Sequence, residues 1–170
     1  GAHKNGKIIE VNNALNGDGP FAPTRSGKVP AIDLIEMCFS GKYSEEELKE
    51  LITKKGGLVS HLGTSDARDV VKMIAEGNEY AKLVYDAMIY QVAKEIGAQS
   101  VVLKGKVDAI ILTGGMAYDE YFIKTLKEYI SFIGKVVIIP GEEEMQALSN
   151  GVLRVLNGEE KAQEYTGVPV

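Results

Sequence analysis

The chain has 170 residues, 45% of them apolar and 25% charged, which fits one globular domain and excludes a disordered one. Nineteen Lys and Arg stand against 24 Asp and Glu, so a net charge of −5 gives no footing for nucleic acid or an anionic membrane. A single cysteine, Cys38, excludes a disulfide framework or cysteine zinc cluster, and no apolar run approaches a membrane span, so a soluble, cytoplasmic protein is expected.

Asn5-Gly6 is a hairpin-turn signal, because both residues tolerate the positive φ of a type I′ turn. Lys7 to Val11 reads as the strand after it, while only four residues precede it. That first arm is expected to be a stub too short for a stable hairpin, as if a longer strand of a larger protein had been cut. Residues 12–27 form a loop rich in Gly, Pro and Asn, too long for a plain connection. Pro30 suits the first turn of a helix over about 30–39, closed by Gly41. In it Cys38, between Met37 and Phe39, is expected in the core.

Ser44-Glu45-Glu46-Glu47 predicts a capping box opening a helix with Leu48, Leu51 and Ile52 on its apolar face, ended by Gly56-Gly57. A short connecting segment, 58–63, leads to Thr64-Ser65-Asp66, an N-cap cluster before a helix to about Ala75. Gly77-Asn78 breaks it, and a long helix follows from Glu79 to about Ile96, apolar nearly all round. Such a helix is expected to be buried on more than one side, within the domain or against a partner subunit.

The last third changes rhythm. Val107 to Leu112 and Lys135 to Pro140 are mostly apolar strands, each followed by a helical pattern, over about 119–133 and 142–156. This β-α-β-α order predicts two parallel strands with helices packed on them.

In parallel units of this kind, ligands sit outside the carboxyl ends of the strands. Thr113-Gly114-Gly115-Met116-Ala117-Tyr118-Asp119 occupies one such end, either as a tight strand-to-helix turn or as a loop whose backbone approaches a nucleotide. Glu142-Glu143-Glu144 occupies the other, either as carboxylates favoured at a helix start or as a source of one Mg²⁺ ligand. Arg68, in Ser65-Asp66-Ala67-Arg68-Asp69, either belongs to a capping arrangement or reaches a phosphate. Arg25, in Thr24-Arg25-Ser26-Gly27, is the loop arginine of three in the chain, either an ordinary loop residue or one that stabilises a transferring phosphoryl group. His61 is expected to be a structural or surface histidine rather than a base.

Taken in order, Asn12 to Phe21, Thr24 to Gly27, Ser65 to Asp69, Leu112 to Gly115 and Pro140 to Glu144 resemble the carboxyl-terminal half of the acetate kinase family, most closely its butyrate kinases, over essentially all 170 residues. The resemblance implies an α/β, ribonuclease-H-like domain of actin-like ATPase type, its first strands truncated. Residues 1–170 would be the carboxyl-terminal nucleotide-binding domain of a two-domain kinase whose amino-terminal half lies elsewhere. It implies reversible transfer of the γ-phosphoryl of ATP to butyrate or a similar short-chain carboxylate, with Mg²⁺, and self-association through this domain. The alternative is a non-catalytic nucleotide-binding and dimerisation module.

Residue by residue, Arg25 matches the arginine near the transferring phosphoryl group. Asp66, Ala67 and Arg68 match the Asp-x-Arg segment that contacts nucleotide. Gly114, Gly115, Met116, Ala117, Tyr118 and Asp119 match the loop against adenosine, reading Gly-Met-Ala-Tyr-Asp over 115–119 where acetate kinases read Gly-Ile-Gly-Glu-Asn. Glu143 matches the Mg²⁺-associated glutamate, with Glu142 or Glu144 if the register slips. The family's His-Leu-Gly phosphate loop is expected before Gly1; His61-Leu62-Gly63 shares its letters at the wrong place. The segment alone is therefore expected to be inactive.

Overall fold

The computed structural model describes residues 1–162 and 164. Asn5 and Gly6 take φ of 51° and 74°, the two positive values a type I′ turn needs. Across the turn β1 (Ala2–Lys4) pairs antiparallel with β2 (Lys7–Glu10), with a bulge between Ala2 and His3. The first arm is short, as expected, at three residues, and it is nonetheless paired. Buried Ala2 anchors it to the interior, a contact the turn sequence does not encode.

Helix α1 (Ala31–Phe39) starts after Pro30, which stays extended at ψ 131°, and Gly41 turns left-handed at φ 70° beyond its end. It buries none of its residues: Ile32, Ile35 and Phe39 face outward. Cys38, expected in the core, is therefore exposed, because its helix has an apolar face that no described element covers. Helix α2 (Glu45–Thr53) opens with the expected capping box: the Glu47 amide donates to Ser44 Oγ at 3.2 Å and the Ser44 amide to Glu47 Oε2 at 2.7 Å.

The segment after it, expected to be a connection, is a six-residue helix, α3 (Gly57–Leu62), that sinks Leu58 completely. Helix α4 (Ala67–Ala75) follows, and α5 (Glu79–Val102) starts where Asn78 Oδ1 accepts from the Ala81 amide at 3.0 Å. Helix α5 passes the expected end near Ile96, since Gly97 stays helical, and stops before Lys104 and Gly105, both at positive φ. Its buried residues Ala81, Val84, Tyr85, Met88, Ile89 and Ala93 share one broad face, while Leu83 and Tyr90 on the other are exposed. Among the described residues the helix is covered on one side only.

Strand β3 (Ala109–Gly114) leads to α6 (Glu120–Ile130), then β4 (Lys135–Pro140) and α7 (Glu144–Leu156). The two strands are parallel as expected, in register from Ala109 opposite Lys135 to Gly114 opposite Pro140. Helix α7 buries no residue and turns Met145, Leu148, Val152 and Leu156 outward.

One core joins these parts: the buried face of α5 with Leu58, Val70, Ile110, Phe122, Ile123, Leu126 and Ile130. The described residues form two separate two-stranded sheets, and a groove of about 660 Å³ along α5 runs between residues of β1 and β3. Gln99 Oε1 on α5 is buried without a hydrogen-bond partner among the described residues. No helix among those residues is long and apolar enough to cross a membrane.

Leu126 is fully buried at 0% exposure, whereas Leu83 is 64% exposed. Leu126→Ala is expected to lose about 2–5 kcal/mol of stability, and Leu83→Ala less than about 0.5 kcal/mol. Urea unfolding of the two variants measures this; equal midpoints would contradict the assigned core.

Candidate functional site

The carboxyl ends of β3 and β4 are tied by reciprocal backbone bonds between Gly114 and Gly141, each 3.1 Å long. Gly114 sits at φ 82°, so the chain leaves the strand in a conformation open to glycine and then makes a 3₁₀ turn over Gly115–Tyr118. Asp119 ends that turn and caps α6: its Oδ1 accepts from the amides of Tyr121 at 2.9 Å and Phe122 at 3.3 Å. The helix expected from about Asp119 starts at Glu120, and the stretch between the glycine pair and that start is the 3₁₀ turn.

The second segment starts α4. Thr64 Oγ1 accepts from the Asp66 amide at 3.0 Å and donates to Asp69 Oδ2 at 2.8 Å. Asp66 Oδ1 accepts from the Arg68 amide at 2.9 Å, and the Arg68 guanidinium grips the same carboxylate through Nε at 2.9 and 3.0 Å and Nη2 at 2.5 Å. The guanidinium is otherwise in solvent, 91% exposed. Its hydrogen bonds, with that of the Arg68 amide, hold the Asp66 carboxyl down at about 2.

The fold brings these two segments to one cleft of about 1000 Å³. Asp66, Ala67 and Arg68 line one side and Gly115, Met116, Tyr118 and Asp119 another, with Pro23, Ser65, Val71, Glu120 and Tyr121 completing it. Gly114 and Ala117 are not on its surface, and Ala117 is buried behind the turn. The volume is that of a small-molecule site. Its chemistry is mixed: Met116, Val71 and Pro23 are apolar, Tyr118 and Tyr121 aromatic, and Arg68 carries positive charge.

Pro23, Val71, Glu120 and Tyr121 were not singled out by the sequence. Only Glu120 and Tyr121 had a usable signal there, their position directly after the glycine turn.

Arg25 does not line the cleft, although Pro23 of the same loop does. That loop is pinned by backbone bonds from Gly56 N to Thr24 O at 3.0 Å, Ser26 N to Ile52 O at 2.9 Å and Val59 N to Pro23 O at 3.0 Å. A Cβ on Gly57 would run into the Ala22 and Arg25 carbonyls, which is why a glycine stands at that crossing. The Arg25 guanidinium makes no ion pair among the described residues.

Glu142, Glu143 and Glu144 are exposed at the start of α7 and do not line the cleft. They are held near its rim, because Gly141 lies against the Tyr118 hydroxyl. Among the described residues no three His, Cys, Asp or Glu side chains converge on a point a metal could occupy. His61, as expected, is a surface histidine, its Nδ1 3.1 Å from the Tyr80 hydroxyl.

Because its folded pKa is depressed, the Asp66 contribution to stability is complete above the ordinary 3.8 and fades as pH falls through about 2. A carboxyl NMR titration is expected to place the Asp66 midpoint near 2 and to return it toward 3.8 in Arg68→Gln. An unchanged midpoint in the variant would show that the grip of Arg68 is not its cause.

A family model described as the Acetokinase family matches residues 1–148. Among solved structures, Porphyromonas gingivalis acetate kinase superposes with a TM-score of 0.71 at 24% identity, over 81% of this chain and 41% of that one. A propionate kinase from Francisella tularensis subsp. tularensis SCHU S4 gives 0.67 at 22%, over 76% and 39%. Entamoeba histolytica acetate kinase gives 0.68 at 22%, over 78% and 42%. The chain spans about two-fifths of the length of these structures, and at such identities they establish the fold alone. That fold is α/β, ribonuclease-H-like, of the actin-like ATPase type. Since the matching model covers most of the sequence, this chain belongs to the acetokinase family.

Proposed function

We propose that this chain is the nucleotide-binding part of a carboxylate kinase, which transfers the γ-phosphoryl of ATP reversibly to a short-chain acid, butyrate foremost. The observation that carries the reading is the meeting of Asp66-Ala67-Arg68 and Gly115–Asp119 in one cleft, from segments about fifty residues apart. Residues 1–170 would be the carboxyl-terminal domain of a two-domain enzyme, its amino-terminal half supplying the phosphate loop and the carboxylate pocket.

In this reading the base and ribose lie against the 115–118 turn, where Gly115 has no side chain and Met116 and Tyr118 offer apolar and aromatic surface. Arg68 stands at the cleft with its outer guanidinium edge free of Asp66 and open to phosphate oxygens. Arg25 meets the transferring phosphoryl group, neutralising the charge on its equatorial oxygens as the bond to ADP breaks and that to the carboxylate forms.

A lone carboxylate such as Glu143 fits Mg²⁺ only as one ligand, directly or through water, beside nucleotide phosphates; the described residues build no cage of their own. When bound, Mg²⁺ neutralises phosphate charge. Self-association and contact with the amino-terminal half would use the outward apolar faces, Ile32, Ile35 and Phe39 on α1 and Met145, Leu148 and Val152 on α7. Those same faces favour, as second reading, a module that binds nucleotide and assembles without catalysing.

The test uses the full-length protein with ATP, Mg²⁺ and acetate, propionate or butyrate, following acyl phosphate trapped as hydroxamate. Turnover is expected with butyrate best, and Arg25→Ala is expected to lower kcat about 10²–10³-fold without changing the oligomer. Absence of turnover on every carboxylate would remove the kinase reading. A variant that assembles poorly but keeps full kcat would favour the second one.

A further inference from the structure

Tyr85 is the largest fully buried side chain in the core, at 0% exposure on the inner face of α5. Its ring stacks on Tyr121 with centroids 6.1 Å apart and leans on Phe122 at 6.4 Å. For packing alone a phenylalanine would serve, but the hydroxyl carries a polar atom into the core and needs a partner there. It has one: it donates to Asp119 Oδ2. Since Asp119 Oδ1 accepts the two α6 amides, this carboxylate joins α5, the first turn of α6 and the end of the Gly115–Tyr118 turn.

A second tether runs beside the first. The Tyr121 hydroxyl donates to Asp86 Oδ1 at 2.7 Å, and Asp86 Oδ2 pairs with Lys82 at 2.5 Å. Asp119 and Tyr121 line the cleft, whereas Tyr85, Asp86 and Lys82 do not. The cleft wall is thus fastened from behind by side chains of α5 that never reach the ligand space. Burial, aided by Asp119, pushes the Tyr85 phenol far above its usual range, so it stays a donor at any physiological pH.

We propose that Tyr85 is a positioning residue for nucleotide recognition: through Asp119 its hydroxyl holds the Gly115–Tyr118 turn in the shape that receives the ligand. The inference rests on the nucleotide reading of the cleft. With its carboxylate occupied on both oxygens, Asp119 acts on the ligand through the backbone it holds. Direct contact is left to the turn itself and to Met116 and Tyr118.

Tyr85→Phe keeps the ring and deletes the bond. In the full-length protein it is expected to raise the Kd for ADP, measured calorimetrically, about five- to tenfold. The KM for nucleotide should rise with it, while kcat and the KM for carboxylate stay within about twofold. Tyr90→Phe, on the exposed side of the same helix, should change none of these. Should Tyr85→Phe fail to fold, Asp86→Ala, behind the cleft wall, cuts the second tether and carries the same expectation.

An unchanged ADP Kd in the variant would overturn the proposal, as would an equal loss in kcat and both KM values, the mark of a general structural defect. Failure of the unsubstituted protein to bind ADP would instead strike the nucleotide reading itself, before any variant is compared, and this inference with it.

Discussion

Helix α5 has to bury its inner face, and most of the described structure is the means by which it does so. Tyr85, Met88 and Ile89 are all but completely buried there, each of a size that contributes about 1.5–3 kcal/mol on leaving water. Helices α3, α4 and α6 and strand β1 are laid on that helix, and Ile110 brings the parallel sheet into the same cluster. The requirement is cooperative. No one of these short elements is stable alone, and each supplies only part of the cover that a 24-residue helix demands.

The cleft is a by-product of that packing. Helices α4 and α6 lie on α5, so the start of α4 and the turn before α6 come to face the same space. The polar groups of α5 then do what its apolar groups cannot. Apolar contact is non-directional and would tolerate a sliding turn, but the Tyr85 and Tyr121 hydroxyls each select one carboxylate and one geometry. Burial sets which segments meet, and two hydrogen bonds set how.

Much of this was legible locally. The Asn5-Gly6 turn, the Ser44–Glu47 capping box and the Asp66 cap depend on neighbours within a few residues and were found where expected, and the two parallel strands follow the order of their elements. Other features failed for physical reasons. Cys38 looked like core because it stands among apolar residues, but a helix buries a face only if another element covers it, and none does among the described residues. Segment 58–63 lacked the length for a helical pattern, and its helix rests on Leu58 meeting a core assembled from distant parts. The long helix was expected to end near Ile96, but Gly97 sits within α5 with open space around it.

For the site, the nucleotide segments were legible as motifs, and Gly115, Met116, Tyr118 and Asp119 do line a cleft with Asp66, Ala67 and Arg68. Arg25, on a loop, and Glu143, at a helix start, do not line it. By itself the sequence determined the caps, turns, strand order and family likeness, since each is written in adjacent residues or in motif order. Only the tertiary structure decided which face of α5 is buried, that Asp119 answers to Tyr85, and that the Asp66 and Gly115 segments share one cleft. Those outcomes join residues tens of positions apart, and nothing along the chain records a distance through space.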